Sequence, residues 1–134
     1  MKDLGMMHYF LGMEVWQSAD GISPGQGKYA VEILNRFNMM ECKAMTTPLE
    51  SNLKLLRDAS SKSADTMMYH QMIGSLIYLM NTRLDICFTV NTLRHVDLMA
   101  AKHAVRYLNG TVEYGLKYDT NHKTNLHGYV DLDW

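Results

Sequence analysis

Apolar positions along this chain fall into blocks of different period. From His8 to Trp16 the β-prone side chains Tyr9, Phe10, Leu11, Val15 and Trp16 gather around Gly12, and Ser18-Ala19-Asp20-Gly21 follows with turn chemistry. This predicts one hairpin arm over residues 8–16 and a return arm from Ile22. Pro24, which lacks a ladder donor, and Gly25 and Gly27 should leave that return arm short or frayed. From Lys28 to Met39 the period changes. Tyr29, Ala30, Ile33, Leu34 and Phe37 recur at steps of three and four, the stripe of an amphipathic helix.

Thr46-Thr47-Pro48 then breaks regular structure, and Asp58-Ala59-Ser60-Ser61-Lys62-Ser63 is polar without a period, so residues 46–66 read as a linker. Asp65 or Thr66 can cap a helix running to about Met80, with Met68, Met72, Ile73, Leu76 and Leu79 on one face and Gly74-Ser75 admitting a close neighbour. A further helix from near Leu84 carries Ile86, Val90 and Leu93. Another, from about Asp97 to Leu108, places Ala101, Val105 and Leu108 on one side and should stop at Asn109-Gly110 in a left-handed turn. Tyr114–Tyr118 and Leu126–Leu132 read as two strands around Asp119-Thr120-Asn121-His122.

Composition narrows the class. The chain has 134 residues, 47% of them hydrophobic and 20% charged, which suits a folded domain or part of one and excludes gross disorder. With 13 basic against 14 acidic residues and a net charge of −1, no global field draws it to nucleic acid or an anionic membrane, so any such binding has to be local. Cys42 and Cys87 stand singly, without zinc spacing, and read as thiols of a reducing compartment. No secretion signal and no membrane-length apolar run is visible, so the expectation is an intracellular chain without a membrane partner. Twelve methionines, several paired as in Met6-Met7, Met39-Met40 and Met67-Met68, point to a loosely specified core. His95 and His103, eight residues apart, make no ligand motif.

In order, the segments resemble the Pol polyprotein of copia-type long-terminal-repeat retrotransposons. The matching strings are Met1-Lys2-Asp3-Leu4-Gly5 with Tyr9-Phe10-Leu11-Gly12-Met13-Glu14-Val15, then Lys28-Tyr29-Ala30, Thr47-Pro48-Leu49 and Lys54-Leu55. Tyr69, Gly74-Ser75-Leu76-Ile77-Tyr78-Leu79, Thr82-Arg83 with Asp85-Ile86, Ala100-Ala101-Lys102-His103 and Arg106 to Thr111 follow, and Gly128-Tyr129-Val130-Asp131 with Asp133-Trp134 closes the series. The first group is similar to the segment after the polymerase palm, whose hairpin holds the primer end. The last is similar to the opening strand of ribonuclease H. Three departures suggest a decaying or rearranged copy: Leu84 where the family usually has Pro, the Pro24-Gly25 break, and a shortening at Leu93-Arg94 that leaves little room for two antiparallel helices.

The resemblance implies an α+β fold: an N-terminal β-hairpin, a helical thumb- or connection-like middle, and a C-terminal β-hairpin that begins a ribonuclease H-like sheet, together an incomplete domain. Its divisions are residues 1–45 for the primer-grip hairpin and following helix, 46–66 for the linker, 67–111 for the connection-like helices, and 112–134 for the start of the nuclease. The parent enzymes combine RNA-directed DNA synthesis with magnesium-dependent RNA hydrolysis. By the match Asp131 is the first metal-binding aspartate, but two-metal chemistry needs several carboxylates at once. The expectation is therefore a truncated, non-catalytic polyprotein fragment, with Asp131 vestigial and no cofactor of its own. Candidate contacts to an RNA–DNA hybrid or primer–template are Tyr9, Phe10, Lys102, Arg106 and Lys117, the basic ones near Tyr107 and Tyr118. Exposed strand edges could also drive self-association. Alternatives are a nucleic-acid or protein-binding module, and a secreted effector of the RxLR type, for which none of Arg36, Arg57, Arg83, Arg94 and Arg106 opens an Arg-x-Leu-Arg string.

Overall fold

The computed structural model describes residues 5–50, 63–93 and 98–120. At the N-terminal end, β1 (Tyr9–Phe10), β2 (Met13–Ser18) and β3 (Gly21–Gly25) pair antiparallel, and β4 (Tyr118–Asp119) returns from far along the chain to pair with β3. The sheet order is β1-β2-β3-β4. The helices are α1 (Gly27–Arg36), α2 (Ser63–Leu79), α3 (Cys87–Leu93), entered through a 3₁₀ turn at Leu84–Ile86, and α4 (Leu98–Asn109). Among the described residues, no helix is long and apolar enough to cross a membrane.

The sheet corrects the expected single arm over residues 8–16. Leu11 and Gly12 both take positive φ, +48° and +79°, and fold a two-residue turn between the paired residues Phe10 and Met13. That is the backbone of a primed hairpin turn, usually marked by Asn-Gly, which is why Leu-Gly gives no clear signal. The return strand is also not frayed, since all five residues of β3 pair with β2, Val15 facing Pro24 and Glu14 facing Gly25. The amide of Val15 donates to His8 across β1, so Pro24 opposite it turns its backbone away from β2. Its carbonyl accepts from Leu116 at 3.1 Å, and the missing N–H falls on that side, beyond the paired length of β4.

The helices follow the apolar stripe. α1 buries Ala30, Ile33 and Leu34 and ends with Asn38 at φ +55°, where Met39 N–H reaches back to the Leu34 carbonyl at 2.8 Å. α2 adds Met72, Leu76 and Leu79, the 3₁₀ turn and α3 add Ile86, Val90 and Leu93, and α4 adds Ala101, Val105 and Leu108. Each fully buried Leu or Ile is worth about 1.5–3 kcal/mol of transfer free energy. The stop of α4 is not left-handed: Gly110 and Thr111 bond three residues back, to Tyr107 and Leu108. Gly74 faces open space rather than a neighbour, whereas Ser75 is buried against Arg36. Of the paired methionines only Met39 is buried, while Met6, Met7, Met40, Met67 and Met68 are exposed, so these do not make the core loose.

This core is built by the helices and the turn after α1, which adds Met39, and no sheet residue belongs to its buried cluster; Val15, 8% exposed, lies outside it. Specific links attach the sheet instead. The Tyr78 hydroxyl on α2 donates to the Leu11 carbonyl at 3.0 Å, and its ring meets Tyr29 edge-on at 4.9 Å. Thr82 donates to the side chain of buried Gln26 at 2.8 Å. Glu14 on β2 accepts from the Lys28 amide at 3.1 Å, capping α1 from outside in place of Gln26, whose side chain makes no cap.

Residues 51–62 of the expected linker, the Leu93-Arg94 junction beyond Leu93, and the strand over residues 126–132 lie outside the described residues. α3 and α4, on either side of that junction, both form and share the core. The described part of residues 112–134 joins β3, so β4 is the fourth strand of the N-terminal sheet.

Candidate functional site

After α2 the chain turns through Asn81 and Thr82 and places Arg83 inside the protein, 2% exposed. A buried guanidinium is costly unless paired and hydrogen-bonded. Here it is both. Its Nε and Nη2 donate to the two carboxylate oxygens of Asp85 at 2.9 and 2.7 Å, and Nη1 donates to the Thr111 carbonyl at 2.8 Å. Nη2 also donates to the Thr111 hydroxyl at 2.7 Å. The planar fork suits this two-point pairing, which a lysine could not reproduce. The Tyr107 hydroxyl on α4 completes the group by donating to Asp85 Oδ2 at 2.8 Å.

The charges follow from this geometry. Burial alone would raise Asp85, but hydrogen bonds from Arg83 and Tyr107 and the guanidinium charge outweigh it and hold the carboxyl below its ordinary value. Tyr107 is pushed up by burial and by its bond to the carboxylate. Every polar atom of the group is committed to another, so it presents no free acid, base or nucleophile. What it does is mechanical: it ties the start of α3, the end of α4 and Thr111 together. It thereby aims residues 112–116 at the sheet, where Gly115 bridges Gly25 and the guanidinium lies 5.5 Å from the Tyr114 ring centre.

The crossing segment roofs a cavity of about 540 Å³. One wall is the sheet face carrying Glu14 and Trp16, a second is the first turn of α1 with Lys28 and Val31, and a third is Val112 to Leu116. Glu14 pairs with Lys28 at 3.4 Å.

The candidate nucleic-acid residues separate into three places. Tyr9 and Phe10 sit exposed on the edge strand β1, Lys117 lies beside β4 at the opposite edge, and Lys102 and Arg106 are exposed one turn apart on α4. Asp131 lies outside the described residues. Among the described residues no three of His, Cys, Asp and Glu come together as a metal holder, so the residues described do not fit a magnesium site.

Sequence reasoning missed the buried Arg83 group. Its signal was the Thr82-Arg83-x-Asp85 string, which marks a tight turn where a two-residue spacing lets the fork close on a carboxylate. Thr111 and Tyr107 carry no such mark, because they are brought in from the far end of α4.

Comparison with known proteins places the chain among relatives of mobile elements. An uncharacterized mitochondrial protein of Arabidopsis thaliana is 40% identical over 144 residues, covering all of this chain and 58% of that protein. The retrovirus-related Pol polyprotein from transposon RE1 of Arabidopsis thaliana is 36% identical over 100% of this chain, and the one from transposon TNT 1-94 of Nicotiana tabacum is 32% identical over 99%. The chain spans little more than half of the first relative and about a tenth of the two polyproteins, 10% and 11% of their lengths. Retrotransposon Pol polyproteins are thus among the homologues of this chain. No family model and no solved structure matches it.

Proposed function

We propose that this chain corresponds to the stretch of a copia-type Pol polyprotein between the end of the polymerase palm and the start of ribonuclease H. In this reading it serves as a non-catalytic support that touches the RNA–DNA hybrid. The observation that carries the reading is the mounting of the β1–β2 hairpin: an edge strand with exposed Tyr9 and Phe10, held off the helical core with its tip pinned by Tyr78. A hairpin fixed at its tip can present aromatic rings to bases or sugars without losing much freedom on binding. Lys102 and Arg106, exposed on α4, supply cations for phosphates. Synthesis and hydrolysis belong, in this reading, to parts of the polyprotein on either side.

The test is fluorescence anisotropy of a labelled RNA–DNA hybrid titrated with the full chain at several salt concentrations. The expected result is weak binding whose log affinity falls linearly with log salt, with a slope reduced by about 2 when Lys102 and Arg106 are both replaced by Gln. No binding at low salt, or binding indifferent to both substitutions, would overturn it.

A further inference from the structure

The cavity under residues 112–116 has a chemistry of its own. Two aromatic side chains line it, Trp16 from β2 and Tyr114 from the crossing segment, each 56% exposed, so their surfaces are not consumed by core packing. The indole packs over Gly25, where an added Cβ would come within 3.0 Å of the ring. Three charged side chains line the same space: Glu14, Glu113 and Lys28. Lys28 is matched by Glu14, and among the described residues no cation pairs with Glu113. The lining therefore carries one uncompensated negative charge beside two aromatic rings, of which Tyr114 already meets the Arg83 guanidinium at 5.5 Å and Trp16 does not.

That combination selects by sign. Aromatic faces attract an organic cation through their quadrupole, and a nearby carboxylate adds a directional partner. The same lining repels phosphate and carboxylate ligands. A volume of about 540 Å³ suits a small molecule or a side chain, mostly apolar in contact and fixed by a few polar groups. We propose that this cavity is a binding site for a small organic cation, an ammonium group carried on an aromatic or aliphatic body, with Trp16 and Tyr114 holding the body and Glu113 the charge. This site is independent of the hybrid-contacting reading, which concerns polyanions and other residues.

The test is a titration of the ¹⁵N-labelled full chain, following the two indole N–H signals, with the Trp16→Phe variant assigning that of Trp16. Three probes of similar shape are compared at neutral pH: 2-phenylethylamine, 2-phenylethanol and 3-phenylpropanoate. The expected result is a saturable shift of the Trp16 indole and of the amides of residues 113–116 with the amine, about fivefold tighter than with the alcohol, the size of one exposed ion pair. The propanoate should produce no saturable shift. Glu113→Gln should close most of the gap between amine and alcohol while leaving the urea midpoint unchanged. Equal binding of amine and alcohol, preference for the propanoate, or no shift of the Trp16 signal up to about 10 mM amine would each overturn the proposal.

Discussion

Arg83 and Asp85, two residues apart, close a two-point ion pair in which the cation is 2% exposed and the carboxylate side chain 31%. The asymmetry of burial makes the two partners unequal. Asp85→Asn leaves a guanidinium uncompensated inside the protein, whereas Arg83→Met leaves a carboxylate that water can reach. Breaking a fully buried pair costs about 3–5 kcal/mol. With solvent screening at Asp85, Asp85→Asn should cost roughly 2–3 kcal/mol, and Arg83→Met about 1 kcal/mol less. Urea unfolding of the three proteins checks the order, and a larger loss for Arg83→Met would show that the lost bonds to Thr111 dominate instead.

The same pair sets the response to acid. Asp85 titrates lower in the folded protein than in the unfolded chain, so its contribution is complete above the ordinary carboxylate value of 3.8 and is lost as pH falls through the depressed folded value. Tyr107, raised in the folded state, contributes below its ordinary value of 10.0 and loses that contribution as pH rises through the folded one. Tyr107→Phe removes one of the bonds holding Asp85 down. Acid unfolding followed by circular dichroism should therefore have a higher midpoint pH in Tyr107→Phe than in the unsubstituted chain.

At the hairpin tip, Tyr78→Phe removes the bond to the Leu11 carbonyl and keeps the ring beside Tyr29. A partly exposed hydrogen bond of this kind contributes about 0.5–1 kcal/mol. The effect should be local, with faster amide exchange at Val15 and its neighbours and little change in α1 or α4. Gly12→Ala is harsher, because its φ of +79° disfavours a side chain and the new methyl would meet the Tyr78 hydroxyl. It should cost more than Tyr78→Phe in the same measurement.

How much of this was legible in the residues depends on the range of the interaction. α1 and the buried faces of α3 and α4 were readable because Ile33, Leu34, Val90, Leu93, Val105 and Leu108 repeat at helical spacing within their own segments. The β1–β2 turn was not, because Leu11 in a left-handed conformation contradicts local preference and is held by Tyr78 from sixty-seven positions away. Pro24 misled for a related reason. Whether a missing donor matters depends on which neighbour it faces, and that neighbour, Leu116, lies far along the chain. Of the candidate site, Lys102 and Arg106 lie one turn apart on α4, while Tyr9, Phe10 and Lys117 were split between opposite sheet edges by an order no local pattern encodes.

Contact with a hybrid predicts a division of labour between rings and cations. Replacing both Tyr9 and Phe10 with Ala should weaken binding about thirtyfold or more at every salt concentration without altering the salt slope, since stacking contributes about 1–3 kcal/mol per base and is not ionic. Loss of slope in that variant would mean that the hairpin acts by placing charges elsewhere.

The central structural claim is that a helical core carries a sheet attached by a few specific links. Native-state hydrogen exchange of the full chain tests it most directly. Amides of β1, β2 and β3 should open with a distinctly lower free energy than those of α1, α2 and α4, as separate cooperative units do. A single common opening free energy for sheet and helices would contradict it.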